Sequence, residues 1–379
     1  MAVSVKDVFK FVGVTVVCFC AVFVCTVFFN YCLDVYPLGV GLSPELVPLY
    51  DAQLASAKLS CGVTGGMLSA TAAAMLIFYI KLYTDSRCRE IGTLKALGYS
   101  NGRIARGFAV FGLNVFIGCA LGFGGGWAAI PYVYGKLSSA GIAVSAEFHA
   151  MPLLCLVVAP TVVLGGFAPL CAWFSVRRPA LELIKGERKN KPVKPKRAKK
   201  YTDRPFLKEL CYSTLKSRKS LAFFVALSGF CFSATVQMGL SMNGIAEGSM
   251  GLMVLTIGCV IAVVAVFMAM TALVQGNAKN IAVLKVTGYS SKEIFTAVFA
   301  AYIPIAVIGF ALGTVYQFGL LSLIVNIVFE GVRGVKRYEF DVPALFTALA
   351  SFVVLYSLVF FLFVRRANKV PVKEIMLET

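Results

Sequence analysis

The chain has 379 residues, 59% of them hydrophobic and only 14% charged, with a mean hydropathy of +0.83. A soluble domain is about half apolar and roughly a quarter charged, so this composition belongs in a bilayer. The formal charge of +18 argues against a nucleic-acid groove, because the basic residues are divided among short segments between apolar runs.

A spanning helix needs ~20 mostly apolar residues to cross ~30 Å of hydrocarbon. Windows 11–33, 60–80, 107–135, 153–176, 220–241, 251–275, 296–328 and 343–364 qualify, and none contains Asp, Glu, Lys, Arg or His. They lack the period-two alternation of a membrane barrel. The predicted fold is therefore an all-α integral membrane protein with eight transmembrane helices. The first run is too long for a signal peptide, and no small-residue cleavage site precedes Asn30-Tyr31-Cys32, so it reads as a retained helix. After it, Ser43-Pro44-Glu45 signals a helix start, which Pro48 delays by a turn. Helical spacing of Leu46, Leu49, Tyr50, Leu54 and Ala57 then extends the second span as a short stalk. In the third span Gly118 and Gly122 permit close helix packing, and Gly124, Gly125 and Gly126 are expected to unwind its end. Pro160, Pro169 and Pro304 are expected to kink their helices. Between the fourth and fifth spans, 188–205 forms a Lys- and Pro-rich linker, and 206–216 has the spacing of an interfacial helix, as does 3–10.

Of the 36 basic residues, 31 fall in 1–10, 81–106, 177–219, 276–295 and 365–379. The other five are Lys58, Lys136, Arg333, Lys336 and Arg337. Basic loops stay inside, so both termini and the linker are expected in the cytoplasm and the loops at 34–59, 137–151, 242–250 and 329–342 outside. The basic segments would also meet anionic lipid headgroups.

Two stretches nearly repeat. Arg89-Glu90-Ile91-Gly92-Thr93-Leu94-Lys95-Ala96-Leu97-Gly98-Tyr99-Ser100 is echoed by Lys279-Asn280-Ile281-Ala282-Val283-Leu284-Lys285-Val286-Thr287-Gly288-Tyr289-Ser290. Ile117-Gly118 to Gly122 is echoed by Ile308-Gly309 to Gly313, and Pro179 to Ile184 by Pro371 to Met376. The chain is an internal duplication. Its expected units are a four-helix repeat over 1–187, the linker over 188–205, and a second four-helix repeat over 206–379. An even number of spans separates the repeats, so they run parallel. The outer loops are too short for a large extracellular domain.

Coupled carriers usually hold their ion on ionisable residues inside the bundle, and the predicted spans have none. No GxxxxGK[ST] phosphate loop occurs. No catalytic pair and no metal-ligand cluster falls in a span, so neither an enzyme nor a cofactor site is expected. The twelve cysteines lie mostly within apolar runs without a CxxC pair, and read as small packing side chains. Any energy source must be another subunit.

The first repeated segment reads as helix, tight turn at Gly98-Tyr99-Ser100, helix. Recurring in both halves, it suits a short element lying crosswise at the membrane surface for a soluble partner. Arg89 to Gly98 also resembles the "REIGxLKALG" segment of FtsX-like ABC permeases, the MacB-type superfamily. The glycine-rich third span and the Val176-Arg177-Arg178 … Pro179-Ala180-Leu181-Glu182-Leu183 ending of the fourth resemble that family too. The second copy matches more loosely, with Asn280 for Glu90 and Ala282 for Gly92. The resemblance implies a permease subunit driven by cytoplasmic ATP-binding subunits, two copies, docked on Arg89, Glu90, Leu94, Lys95, Gly98 and Tyr99 and on Lys279, Leu284, Lys285, Gly288 and Tyr289. The substrate class left open to it is a lipid or amphipathic peptide. The competing readings are a regulator that passes ATPase motion to an outside partner, and an ATP-independent scramblase.

Overall fold

The computed structural model describes residues 12–39, 47–137, 144–177, 179–185, 215, 219–242, 248–290, 293–294, 301–328 and 339–369. Those residues contain helices and turns and no strand. Segments 3–10 and 188–205, the Ser43 start signal, the 371–376 echo and, apart from Leu215, the 206–216 helix lie outside them. In chain order the helices are α1 (Val12–Val35), α2 (Val47–Gly62), α3 (Ser69–Ser86), α4 (Cys88–Ala96), α5 (Asn101–Gly107), α6 (Ala109–Leu137) and α7 (Ala150–Leu153). There follow α8 (Ala159–Val176), α9 (Ala180–Lys185), α10 (Lys219–Met242), α11 (Gly248–Val286), α12 (Ile303–Val328) and α13 (Val342–Lys369). Eight helical runs are long and apolar enough to cross a membrane, beginning at Val12, Gln53, Asn101, Ala150, Lys219, Gly251, Ile303 and Val342. The protein is an all-α, multi-pass membrane protein, as the hydropathy windows predict.

The first helix of each half is the most enclosed, and the last is the least. About two thirds of α1 and α10 is buried, against about a fifth of α8 and α13. The reason is on the sequence: α6 lays Gly118, Gly122 and Gly126 against α1. A Cβ on those residues would come within 3 Å of the carbonyls of Thr15, Phe19 and Phe23. In the second half Gly309 and Gly313 do the same against Ala226 and Phe230 of α10, and Gly229 of α10 answers at Ala306. Small residues let the two backbones touch, which is how helices associate where hydrophobicity gives no preference between lipid and protein. The expected unwinding at Gly124–Gly126 does not occur. Gly125 meets the rings of Phe19 and Phe23 and Gly126 meets Phe23 and Thr26, so packing holds α6 helical through Leu137.

The halves cross over. Helix α1 packs on α11 of the other half, and α10 packs on α3. A shared apolar core joins Phe28 and Tyr31 of α1 to Met238 and Met242 of α10 and Leu321 of α12.

The three prolines expected to kink their helices have different local settings. Pro304 sits in the first turn of α12, where its missing N–H had no helical partner. Pro160 cannot donate to the carbonyl of Leu156, and the helix widens over Leu154–Val158, with the Ala159 N–H reaching back five residues to Leu154. Pro169 and Pro131 lie inside continuous α8 and α6. A second widened turn, Val63–Leu68, joins α2 to α3, so one helical path runs from Val47 to Ser86. It contains Gly65, against which the ring of Phe29 packs, and Gly66. Thr64 Oγ1 donates to Ser60 O at 2.8 Å and Cys25 Sγ to Thr64 O at 3.4 Å.

Candidate functional site

Both repeated segments end their helices in the same way. Gly98 and Gly288 have φ of +86° and +89°, the only positive values among the described residues. In the first copy the N–H of Gly98 bonds to Lys95 O at 3.1 Å and that of Tyr99 to Leu94 O at 3.2 Å. In the second, Gly288 bonds to Lys285 O at 3.3 Å and Tyr289 to Leu284 O at 3.2 Å. These paired bonds form a Schellman cap, which needs a left-handed residue, and only glycine adopts that conformation without a Cβ penalty. The turn read from Gly-Tyr-Ser is thus a helix stop built twice.

A new helix starts at once. The Ser100 backbone is extended, and its carbonyl accepts from Arg103 and Ile104 at 3.0 and 3.1 Å. In the second copy the side chains join in. Glu293 Oε2 accepts from the Ser290 N–H at 3.0 Å and from its hydroxyl at 2.9 Å, while the Glu293 N–H reaches Ser290 Oγ at 3.3 Å. This is a capping box. Ser290-Ser291-Lys292-Glu293 carries its signature, which the sequence reading missed; the first copy has Arg103 at that place.

Short helix α4 and the end of α11 both turn apolar side chains inward. Ile91 is fully buried, with Leu94 packed against the same core. Leu284 is 4% exposed and belongs to the core of the second half, with Tyr289 beside it. Lys95 also turns inward. Its Nζ donates to the carbonyl of Val176 at 2.5 Å, at the C-terminal end of α8, where a cation complements the exposed carbonyls. Helix α4 lies against α9, the Pro179–Ile184 echo. Glu90 pairs with Arg87 one turn earlier, a half-exposed pair worth well under about 1 kcal/mol. Arg177 stacks on Trp173, 4.2 Å from the ring centre.

The surface left outward differs between the copies. The first shows Arg89, Glu90, Leu97 at 75% exposure and Tyr99 at 44%. The second shows Val283 and Val286, at 47% and 61%. Leu97, Val283 and Val286 were not among the expected contact residues. Val286 lies on the far side of the helix from Leu284, which helical spacing could have shown, whereas Leu97 follows the last residue of α4, where that spacing gives no facing. The side chain of Lys279 is outside the described set.

Two tandem halves, each with a Schellman-capped helix end at the same position, define a duplicated helical membrane protein. The first end is the short helix α4, whereas the second is the last turns of continuous α11 and not the separate crosswise element expected. The model of the family described as FtsX-like permease C-terminal matches the chain twice, over 62–180 and 252–372. The chain belongs to the FtsX-like permease family. That membership makes it a permease-type component of an ABC transporter system, a kind of protein that associates with an ABC ATPase subunit. Neither a curated protein nor a solved structure matches it.

Proposed function

We propose that the chain is the permease subunit of an ABC transporter and couples ATP hydrolysis in a separate cytoplasmic subunit to export or extraction of a lipid or amphipathic peptide. The carrying observation is the pair of Schellman-capped elements, in equivalent places of the two halves, with an apolar outer edge that the core does not use. On this reading one chain engages two ATPase copies and is itself no enzyme. The repeats are 1–187 and 206–379, joined by the basic linker, and the termini lie with the capped turns in the cytoplasm. Uncharged spans and short connections on the opposite face favour a substrate taken from the membrane.

Leu94 and Leu284 then support the docking elements from within, with Gly98 and Gly288 shaping them. Contact falls to Arg89, Glu90, Leu97 and Tyr99, and to Val283 and Val286. The test is co-purification with the cognate ATPase and its activity in liposomes. Leu97→Asp and Val286→Asp should each reduce substrate-stimulated hydrolysis severalfold while the permease stays folded, because a charge in a desolvated contact costs several kcal/mol. Wild-type coupling in both variants would remove the docking assignment, and native mass spectrometry showing two permease chains bound to two ATPases would remove the one-to-two assembly.

A further inference from the structure

At the end of the bundle opposite the two turns, the first half buries a carboxylate. Asp34, next to the last residue of α1, has a side chain only 2% exposed. Tyr134 of α6 donates its hydroxyl to one carboxylate oxygen at 2.7 Å, and Nε2 of His149 stands 2.7 Å from the other. His149 is the only histidine in the chain. It precedes α7 directly, and its side chain is 29% exposed. Tyr31, one turn before Asp34, sets its ring edge-on to Tyr134 at 5.3 Å and accepts a hydrogen bond from Gln53 of α2 at 3.0 Å. Four elements of the first half meet around one buried carboxylate.

Asn30 Oδ1 on α1 and Gln53 Oε1 on α2 are buried with no donor among the described residues. Other titratable groups at this end of the packed elements are Cys32 on α1 and Tyr36 after it, Tyr50, Asp51, Lys58 and Cys61 on α2, Tyr132 and Lys136 on α6, and Glu147 beside His149. Of the described cations, His149 is the one within ion-pair reach of Asp34. A carboxylate removed from water is expensive unless it is paired, so the charge state of this imidazole matters to the whole corner. The second half is built otherwise. Asp341, at the start of α13, accepts from the Ala344 N–H of its own helix at 3.0 Å.

We propose that Asp34 and His149 form a proton-operated latch, which holds the start of the fourth span to α1 when the imidazole is charged and loosens it when the imidazole is neutral. It goes beyond the transport reading and does not depend on it. Imidazole changes charge between about pH 5 and pH 8, and the partly exposed ring gives solvent protons access. In the closed state an imidazolium meets a buried carboxylate in a charge-assisted bond. On deprotonation the carboxylate keeps the Tyr134 hydroxyl, and the imidazole keeps one neutral hydrogen bond. The held element is weak in itself: α7 has four residues and runs straight into the widened turn at Leu154–Val158.

The test is hydrogen–deuterium exchange of the full chain in detergent, following the peptide 144–153 at about pH 5.5 and about pH 8 and correcting for the intrinsic pH dependence of exchange. In the wild type, protection should fall roughly threefold or more as the pH rises. His149→Gln keeps a neutral donor and should show low protection at both pH values. Asp34→Asn should remove the pH dependence as well. Wild-type protection that ignores pH, or a His149→Gln protein that keeps the wild-type slope, overturns the latch. If Asp34→Asn fails to fold, the His149 comparison decides alone. The assay contains no ATPase and no substrate, so its failure leaves the transport reading standing, and a failed docking test leaves the latch standing.

Discussion

Gly98 and Gly288 sit in open space, with nothing within 4 Å of a built Cβ, so their requirement is purely one of backbone conformation. Alanine at either should cost about 1 kcal/mol through the left-handed penalty alone. The readout is a lowered thermal midpoint with the fold otherwise kept; unchanged midpoints for both would mean that the caps do not hold these turns. The same residue type acts by a different mechanism elsewhere. A Cβ on Gly309 would fall on the backbone of Ala226, whereas Gly319 on the same helix meets nothing. Gly309→Ala should therefore destabilise by about 1–3 kcal/mol or more and Gly319→Ala by little. Equal midpoints for these two variants would sink the claim that the seam is set by backbone contact. A residue count treats all these glycines alike, and only their neighbours in space separate the two roles.

At the scale of elements, much of the structure was legible. Runs of uncharged residues located all eight spans, since a bilayer tolerates little else across its core. The Gly-Tyr-Ser punctuation located both turns, because a left-handed stop demands glycine at one position. Less legible was the facing of each short helix. Leu94 and Leu97 are both apolar and three residues apart, yet one packs on the core and the other is 75% exposed. Lys95 looked like a surface charge until the end of α8, far away in sequence, supplied the carbonyl of Val176. The Asp34–His149 contact joins residues 115 apart, and no local pattern announces such a pair. At Pro160 the sequence predicts a disturbed helix, and the disturbance takes the form of one widened turn at Leu154–Val158, a usual site of bending.

For the whole molecule, the arrangement of faces can be tested by labelling. Tyr36 is 68% exposed and Ser145 is exposed, both at the end opposite the turns, while Leu97 is exposed at the turn end. In a cysteine-free background, Tyr36→Cys and Ser145→Cys should react with an impermeant maleimide on intact cells. Leu97→Cys should react only after the membrane is opened. Labelling of Leu97→Cys on sealed cells would invert the topology that 31 of 36 basic residues predict. The crossed packing of α1 on α11 and α10 on α3 also means that neither half has a complete core alone, so expressing 1–187 by itself should give an aggregating product.

The helical path from Val47 to Ser86 has a mechanical meaning. At ~1.5 Å per residue it is a rod of roughly 60 Å, about twice the thickness of the hydrocarbon layer. One end stands beside the Asp34 corner and the other leads directly into the element capped by Gly98. Alpha-helix is stiff along its axis, and this rod departs from regular α-helix at the widened turn over Val63–Leu68, which Phe29 and Cys25 of α1 pack against. Were the capped end displaced by an ATPase as proposed, the rod would carry that displacement to the far side of the membrane through this turn.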